Sequence, residues 1–264
     1  MPEGIPIMYR AGDQPNNAVA LNVLKPGEIA ATGGTSGVVY AISDQAKTNE
    51  GQRINCFVHV NHSVETARIG KMLCINGTGI QYSWMRKQVA VNLSYTELNQ
   101  LAERAKIGSS GLRILPFGNG AERMLYNQNR GSSILNLNFS SHGKEHLLRA
   151  SLEGIAFSFV YGLEILVADG VGLDVIKAGN DNLFQADIFS HTIATLTGSS
   201  IKILETTGAV GAARAAALAY GDFSSLDEAS AADGISSVCE PLKNKEEYLV
   251  AYDLWKHDLN EYLK

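Results

Sequence analysis

The chain has 264 residues, 45% hydrophobic and 19% charged. That is the balance of a globular protein with a sizeable core, and the length accommodates one large or two small domains. The formal net charge of -5 argues against a general affinity for nucleic acid or anionic membrane, but it permits a local phosphate site built from backbone amides and hydroxyls.

Met1-Pro2-Glu3-Gly4 lacks the basic and apolar regions of a signal peptide. Residues 5–9 read as a buried strand running into Gly12-Asp13. Asp13 is expected to cap the next helix, with Pro15 in its first turn, Ala18, Leu21 and Val23 on its apolar side, and Lys25-Pro26-Gly27 as its stop. Residues 28–32 and 38–42 read as a hairpin around Gly33-Gly34-Thr35-Ser36-Gly37.

The stretch 52–92 is strand-like and irregular. A helix starts at the capping box Ser94-Tyr95-Thr96-Glu97, with Leu98, Leu101, Ala102 and Ala105 on one face. Residues 108–143, rich in Gly, Asn and Ser, read as an ordered loop region around a short strand at 113–116. The longest helix is expected over about 144–168, where Leu148, Leu152, Ile155, Phe159, Leu163 and Leu166 recur at three- and four-residue intervals. Its apolar run 155–167 is interrupted by Ser158, Tyr161, Gly162 and Glu164, so no bilayer-spanning segment is expected.

Beyond Asp169-Gly170, strands at 175–178 and 201–204 alternate with helices at 183–197 and 209–220, and a last helix covers about 245–263. Such alternation implies one layered α/β domain over residues 1–264, with a partly parallel sheet. Cys56, Cys74 and Cys239 are odd in number and widely spaced. They are read as reduced, buried thiols of a soluble cytoplasmic protein, with no disulfide or metal framework.

The residues that carry chemistry are few. Asp13 is either a helix cap or a proton acceptor, and Gln14 beside it suits a polyhydroxylated substrate, whose hydroxyls need both donor and acceptor. The 33–37 turn is either a hairpin that needs glycine for positive φ or an anion cradle, with the Thr35 and Ser36 hydroxyls added. No lysine follows it as in a P-loop. Gly179-Asn180-Asp181-Asn182 follows a strand, the usual ligand position in an α/β sheet, and could surround a nucleotide or simply start a helix. The small-residue stretch 208–219 reads as close helix packing. His142 and His146 suit surface or capping roles better than a metal, and Glu122-Arg123 looks like an ion pair in a turn.

Taken together, these segments resemble the FGGY carbohydrate kinases. Gly12-Asp13-Gln14 resembles that family's catalytic Gly-Asp-Gln, and Lys25-Pro26-Gly27 followed by Gly34-Thr35-Ser36-Gly37 resembles its phosphate turn. Leu115-Pro116-Phe117 with Glu122-Arg123, the stretch from Arg149 to Ala156, and Gly208-Ala209-Val210-Gly211-Ala212-Ala213 match further family segments in order and spacing. Within the family the pattern is most similar to the xylulose kinases. Where the family writes its adenosine loop Gly-Gly-Gly-Ala, this chain has Ala178-Gly179-Asn180-Asp181-Asn182.

The resemblance implies an actin-like (ribonuclease-H-like) α/β domain with a mixed sheet flanked by helices. It implies transfer of the ATP γ-phosphoryl group, with Mg²⁺, to a sugar hydroxyl, most simply D-xylulose. Asp13 would be the catalytic residue and would bind sugar together with Gln14. Gly33, Gly34, Thr35, Ser36, Gly179, Asn180 and Asn182 would bind ATP. No Asp-x-Gly-Thr loop occurs here, so the chain reads as the C-terminal half of a two-domain kinase, inactive by itself. The partners implied are a small sugar and ATP, not nucleic acid or membrane, with a homodimer left open. The rival readings are kinases for ribulose, gluconate or glycerol, a non-catalytic sugar or nucleotide binding module, and an actin-like ATPase.

Overall fold

Ile29, Ala31, Val39 and Ala41 bury their side chains in one apolar layer, and Ala30, Val38, Tyr40 and Ile42 bury theirs in a second. Alternate residues of a strand point to opposite faces, so these strands belong to a sheet covered on both sides. That is why they read as continuous apolar runs in the sequence.

The computed structural model describes residues 3–231 and 233–264; Met1 and Pro2 of the stretch scanned for targeting features lie outside them. In chain order the elements are α1 (Asp13–Ala20), β1 (Glu28–Gly33), β2 (Gly37–Ser43), β3 (Asn55–Val58), β4 (Ile69–Ile75), α2 (Gly79–Gln88), α3 (Tyr95–Ala102), β5 (Arg113–Leu115) and β6 (Ser133–Leu135). Then follow α4 (Lys144–Ala168), β7 (Val175–Gly179), α5 (Asp187–Thr197), β8 (Ile201–Leu204), α6 (Gly208–Tyr220), α7 (Leu226–Ala229), β9 (Ile235–Cys239) and α8 (Lys245–Leu263). Seven strands form one mixed sheet in the order β3-β4-β2-β1-β7-β8-β9, and β5 pairs with β6 separately. The strands β1, β7 and β8 are parallel and the other pairs antiparallel, so Gly33, Gly179 and Leu204 end at the same edge.

One apolar layer holds α4, α5, α8 and the buried sides of α2 and α3; the other holds α1. The helix α4 is buried almost all round, as expected of a helix apolar on every face. By length and composition alone this helix could cross a bilayer, despite the interruptions in its apolar run. However, 83% of its most apolar window is already buried inside the fold. The capping box of α3 is formed: Ser94 Oγ accepts from Glu97 N at 3.3 Å, and Glu97 Oε2 accepts from Ser94 N at 2.7 Å.

Other expectations need correction. Residues 5–9 form no strand, because neither edge of the main sheet, β3 nor β9, pairs with them; Ile7 is 88% exposed. The first helix stops at Ala20, since Asn22 turns into the left-handed region at φ 51°. The expected helix over 183–197 is a 3₁₀ turn (Asn182–Gln185) followed by α5. Cys56 is exposed and Cys74 and Cys239 are half-buried, so these free thiols are not core residues. Glu122 and Arg123 are not paired: Arg123 donates to the carbonyls of Arg53 and Gly51, and Glu122 is fully buried elsewhere.

Candidate functional site

The turn between β1 and β2 sits where the parallel strands end, with Gly33 opposite Gly37 and Gly34-Thr35-Ser36 as its loop. None of its three glycines adopts positive φ. Glycine is needed here for space instead. A methyl group at Gly37 would lie 2.5 Å from Phe159 Cζ, and one at Gly33 would lie 3.1 Å from Leu183 Cβ. At Gly34 the nearest atom would be 3.7 Å away, so that residue is open.

The first turn of α2 holds this loop from one side. Gly79 N donates to the Gly34 carbonyl at 3.0 Å and Ile80 N to the Thr35 carbonyl at 3.1 Å. In a trans peptide the carbonyl and the next N–H point in opposite directions. The amides of Thr35 and Ser36 are therefore directed away from α2, and neither donates to a backbone carbonyl among the described residues. Two successive amides without a backbone partner among the described residues, beside two exposed hydroxyls, are groups suited to holding an anion.

On the α2 side of the turn lies a groove of about 710 Å³. Gly33, Gly34, Thr35, Gly79 and Ile80 line one end, Asn182, Leu183, Gln185 and Asp187 another, and Tyr82, Ser83, Lys87, Tyr95 and Asn99 the wall. That wall is braced by the Tyr82 hydroxyl donating to Asn99 Oδ1 at 2.8 Å and by stacking of Tyr82 on Tyr95. Volume and lining are those of a small-molecule site.

Asp13 and Gln14 lie at the other face. Gly12 is the N-cap of α1 and Asp13 its first helical residue, so the expected capping by Asp13 is corrected; among the described residues its carboxylate accepts only from Gln14 N, at 2.8 Å. Asn17, one turn later, donates to Thr32 Oγ1 at 3.0 Å, which ties the start of α1 to the end of β1. One turn is about 5.4 Å along the axis, so Asp13 stands close to the sheet edge that carries the turn. Since α1 packs on the face opposite α2, the free amides of Thr35 and Ser36 point to the side on which Asp13 lies.

The groove thus brings together Gly33, Gly34, Thr35 and Asn182, while Ser36, Asp13, Gln14, Gly179 and Asn180 lie outside it. The side chain of Asn180 donates to Glu205, and Gln185 Nε2 donates to its carbonyl at 3.3 Å, so its loop is held in shape. Sequence reasoning missed Gly79, Ile80, Ser83 and Lys87 because α2 was not expected, and Asn99 because nothing in the expected helix α3 marked its polar face as a groove wall. Close packing is the role of 208–219, as expected: a methyl group at Gly211 would lie 1.9 Å from the Asn16 carbonyl oxygen. His146 Nδ1 accepts from Gly143 N at 3.1 Å, a capping role.

Among the described residues no group of three or more His, Cys, Asp or Glu converges on a metal. Mg²⁺ carried on substrate phosphates takes one or two carboxylates and several waters, and Asp13 is one exposed carboxylate of that kind.

Residues 29–220 match the family model described as the FGGY family of carbohydrate kinases, C-terminal domain. The chain is 29% identical over 239 residues to a gluconokinase of Bacillus licheniformis, covering 85% of this chain and 45% of that protein. It is also 29% identical over 222 residues to a xylulose kinase of Haemophilus influenzae, covering 83% and 43%. The chain therefore spans about half the length of the curated relatives it matches. The crystal structure of xylulose kinase from Rhodospirillum rubrum superposes with a TM-score of 0.86 at 24% identity, covering 100% of this chain and 53% of that one. The expected actin-like α/β fold, with its mixed sheet between helices, is the fold found. With the family model matched over most of its length, the chain belongs to the FGGY family of carbohydrate kinases.

Proposed function

We propose that this chain supplies the ATP-holding half and the proton acceptor of a two-domain kinase that phosphorylates a sugar hydroxyl. One observation carries the reading. The 33–37 turn stands between a nucleotide-sized groove on its α2 side and Asp13 on its α1 side, with free amides directed toward Asp13. A nucleoside in that groove would extend its phosphates over Gly34, Thr35 and Ser36 toward a hydroxyl held by Asp13 and Gln14. The Gly179-Asn180 loop, to which the groove residue Gln185 is bonded, would shape the far end from outside, and Asn182, which lines the groove, would meet the adenosine.

Phosphoryl transfer has a loose transition state, so catalysis is mainly positioning and charge stabilisation, and the alcohol proton leaves late. A carboxylate, though a weak base, suffices for that. Mg²⁺, when bound, neutralises charge on the transferring phosphate. Asp13 orients the attacking oxygen and takes its proton, and Gln14 offers both donor and acceptor to the sugar.

D-xylulose is the sugar we favour, from the similarity of the motif pattern to xylulose kinases. Equal identity to a gluconokinase makes gluconate the second reading. The test is ADP release by the complete two-domain enzyme with D-xylulose, D-ribulose, D-gluconate or glycerol as acceptor. Turnover with D-xylulose above the others supports the first reading, preference for gluconate the second, and no acceptor-dependent ADP release would end the kinase reading. This chain alone is expected to show no robust sugar phosphorylation, since one wall of the cleft forfeits positioning worth about 7–11 kcal/mol in favourable cases.

A further inference from the structure

Glu122 is 0% exposed and none of the ion pairs among the described residues includes it, although an arginine follows it in sequence. Burying an unpaired carboxylate is costly, and burial raises its pKa against the opposing effect of the amides it holds. Both oxygens are used on backbone. Oε2 accepts from Asn76 N at 3.0 Å and Oε1 from Gly77 N at 2.8 Å. The same loop is clamped by Asn76 Nδ2 donating to the Ala121 carbonyl at 2.7 Å and by Asn119 Nδ2 donating to the Asn76 carbonyl at 3.2 Å. Gly77 is pressed so close to Pro116 that a methyl group would stand 1.6 Å from its carbonyl oxygen.

Asn76 and Gly77 are the residues that lead from β4 into α2, and Gly79 and Ile80, two residues on, hold the carbonyls of Gly34 and Thr35. A fixed path thus runs from the buried carboxylate through four backbone amides to the turn. We propose that Glu122 is a positioning residue for the nucleotide phosphates, acting through Asn76-Gly77 and the first turn of α2 to aim the amides of Thr35 and Ser36. The charged acceptor fits this task, because hydrogen bonds to a carboxylate are shorter and stronger than neutral ones and permit less play in the loop. The inference rests on the reading of the 33–37 turn as a phosphate site.

Glu122→Gln keeps the side-chain volume but turns one acceptor into a donor facing a backbone N–H. The test measures binding of ATP and of adenosine to the 264-residue chain and this variant by calorimetry, with folding followed by circular dichroism. The wild type is expected to prefer ATP strongly. In Glu122→Gln, ATP binding should weaken on the order of ten-fold, as for loss of an aligned charged contact, with adenosine changed by less than about two-fold.

Gly79→Ala tests the other end of the path without touching the carboxylate. Its methyl group would stand 2.4 Å from the Gly34 carbonyl oxygen and, since Gly79 also lines the groove, should weaken ATP binding more than it weakens adenosine binding. If the wild type does not distinguish ATP from adenosine, the phosphate reading itself fails, and this inference with it. If the wild type does distinguish them and a folded Glu122→Gln keeps the full preference, the positioning role is overturned while the phosphate reading survives. Should Glu122→Gln not fold, an undiminished preference in Gly79→Ala overturns it equally.

Discussion

Gly211 of α6 and Asn16 of α1 meet backbone to backbone: a methyl group on Gly211 would stand 1.9 Å from the Asn16 carbonyl oxygen and 2.7 Å from Ala20 N. No flexible side chain is there to yield, so Gly211→Ala must push α1 away. Overpacking of this kind costs about 1–3 kcal/mol. The helix that moves is the one that starts at Asp13. Urea unfolding should show the stability loss, whereas Gly34→Ala, with nothing nearer than 3.7 Å, should stay within about 0.5 kcal/mol of the wild type.

Lys71 and Asp169 form an ion pair at 2.7 Å whose side chains are 0% and 1% exposed. Lys71 Nζ also donates to the carbonyls of Lys47 and Asp169, and Asp169 Oδ1 accepts from Asn49 N at 2.8 Å. The pair therefore straps the segment after β2 to the end of α4. Lys71→Met leaves a buried carboxylate uncompensated and should cost about 3–5 kcal/mol. Adding Asp169→Asn removes that charge while retaining an acceptor for Asn49, so the double variant should be more stable than Lys71→Met alone. Chemical denaturation of the three proteins measures the difference directly.

His59 is 2% exposed, and its Nδ1 lies 3.0 Å from the Tyr40 hydroxyl. Burial holds its imidazole down at about 4, with Arg68 acting in the same sense and the Val23 carbonyl opposing. Above pH 6.5 both folded and unfolded chains carry it neutral. As the pH falls toward 4, the unfolded chain takes up a proton that the folded chain refuses, so stability is lost in that window. The contribution between pH 7 and pH 4.5 should be about 2–3 kcal/mol. His59→Gln should show a correspondingly flatter stability profile over this range; an unchanged slope would contradict the buried neutral imidazole.

Much of this architecture is legible in the sequence, for identifiable reasons. The helix α4 announces itself because its middle is buried almost all round, and β1, β2, β7 and β8 because the sheet is covered on both faces. The helix α2 is hidden because Gly77 and Gly79 look like turn residues. Their glycines are demanded by contacts with Pro116 and Gly34, which are remote in sequence. The edge strand β9 is hidden because Ile235 and Val238 face outward, leaving no alternation to see. The site divides the same way. Short motifs such as Gly12-Asp13-Gln14 and the 33–37 turn stand out locally, whereas Ser83, Lys87 and Asn99 become groove wall only when α2 and α3 pack. Glu122 beside Arg123 suggested a pair, but the partners are backbone amides more than forty residues upstream.

Asp13→Asn and Thr35→Val separate the two halves of the proposed chemistry. Asparagine retains a side-chain oxygen to accept from Gln14 N, so the first turn of α1 should survive and the melting temperature should barely move. It cannot take the alcohol proton. In the complete enzyme turnover should fall about 10²–10⁴-fold, with sugar affinity changed far less, because an amide still bonds the hydroxyl. Thr35→Val leaves Asp13 untouched and keeps the backbone amide, but removes a hydroxyl exposed on the turn. A hydrogen bond to a charged phosphate is worth about 1.5–3 kcal/mol, so the KM for ATP should rise roughly ten- to hundred-fold while that for sugar holds. Steady-state kinetics with each substrate varied in turn would reveal this split. Near-full turnover in Asp13→Asn would reduce Asp13 to a residue of the helix start and remove the proton acceptor from the mechanism.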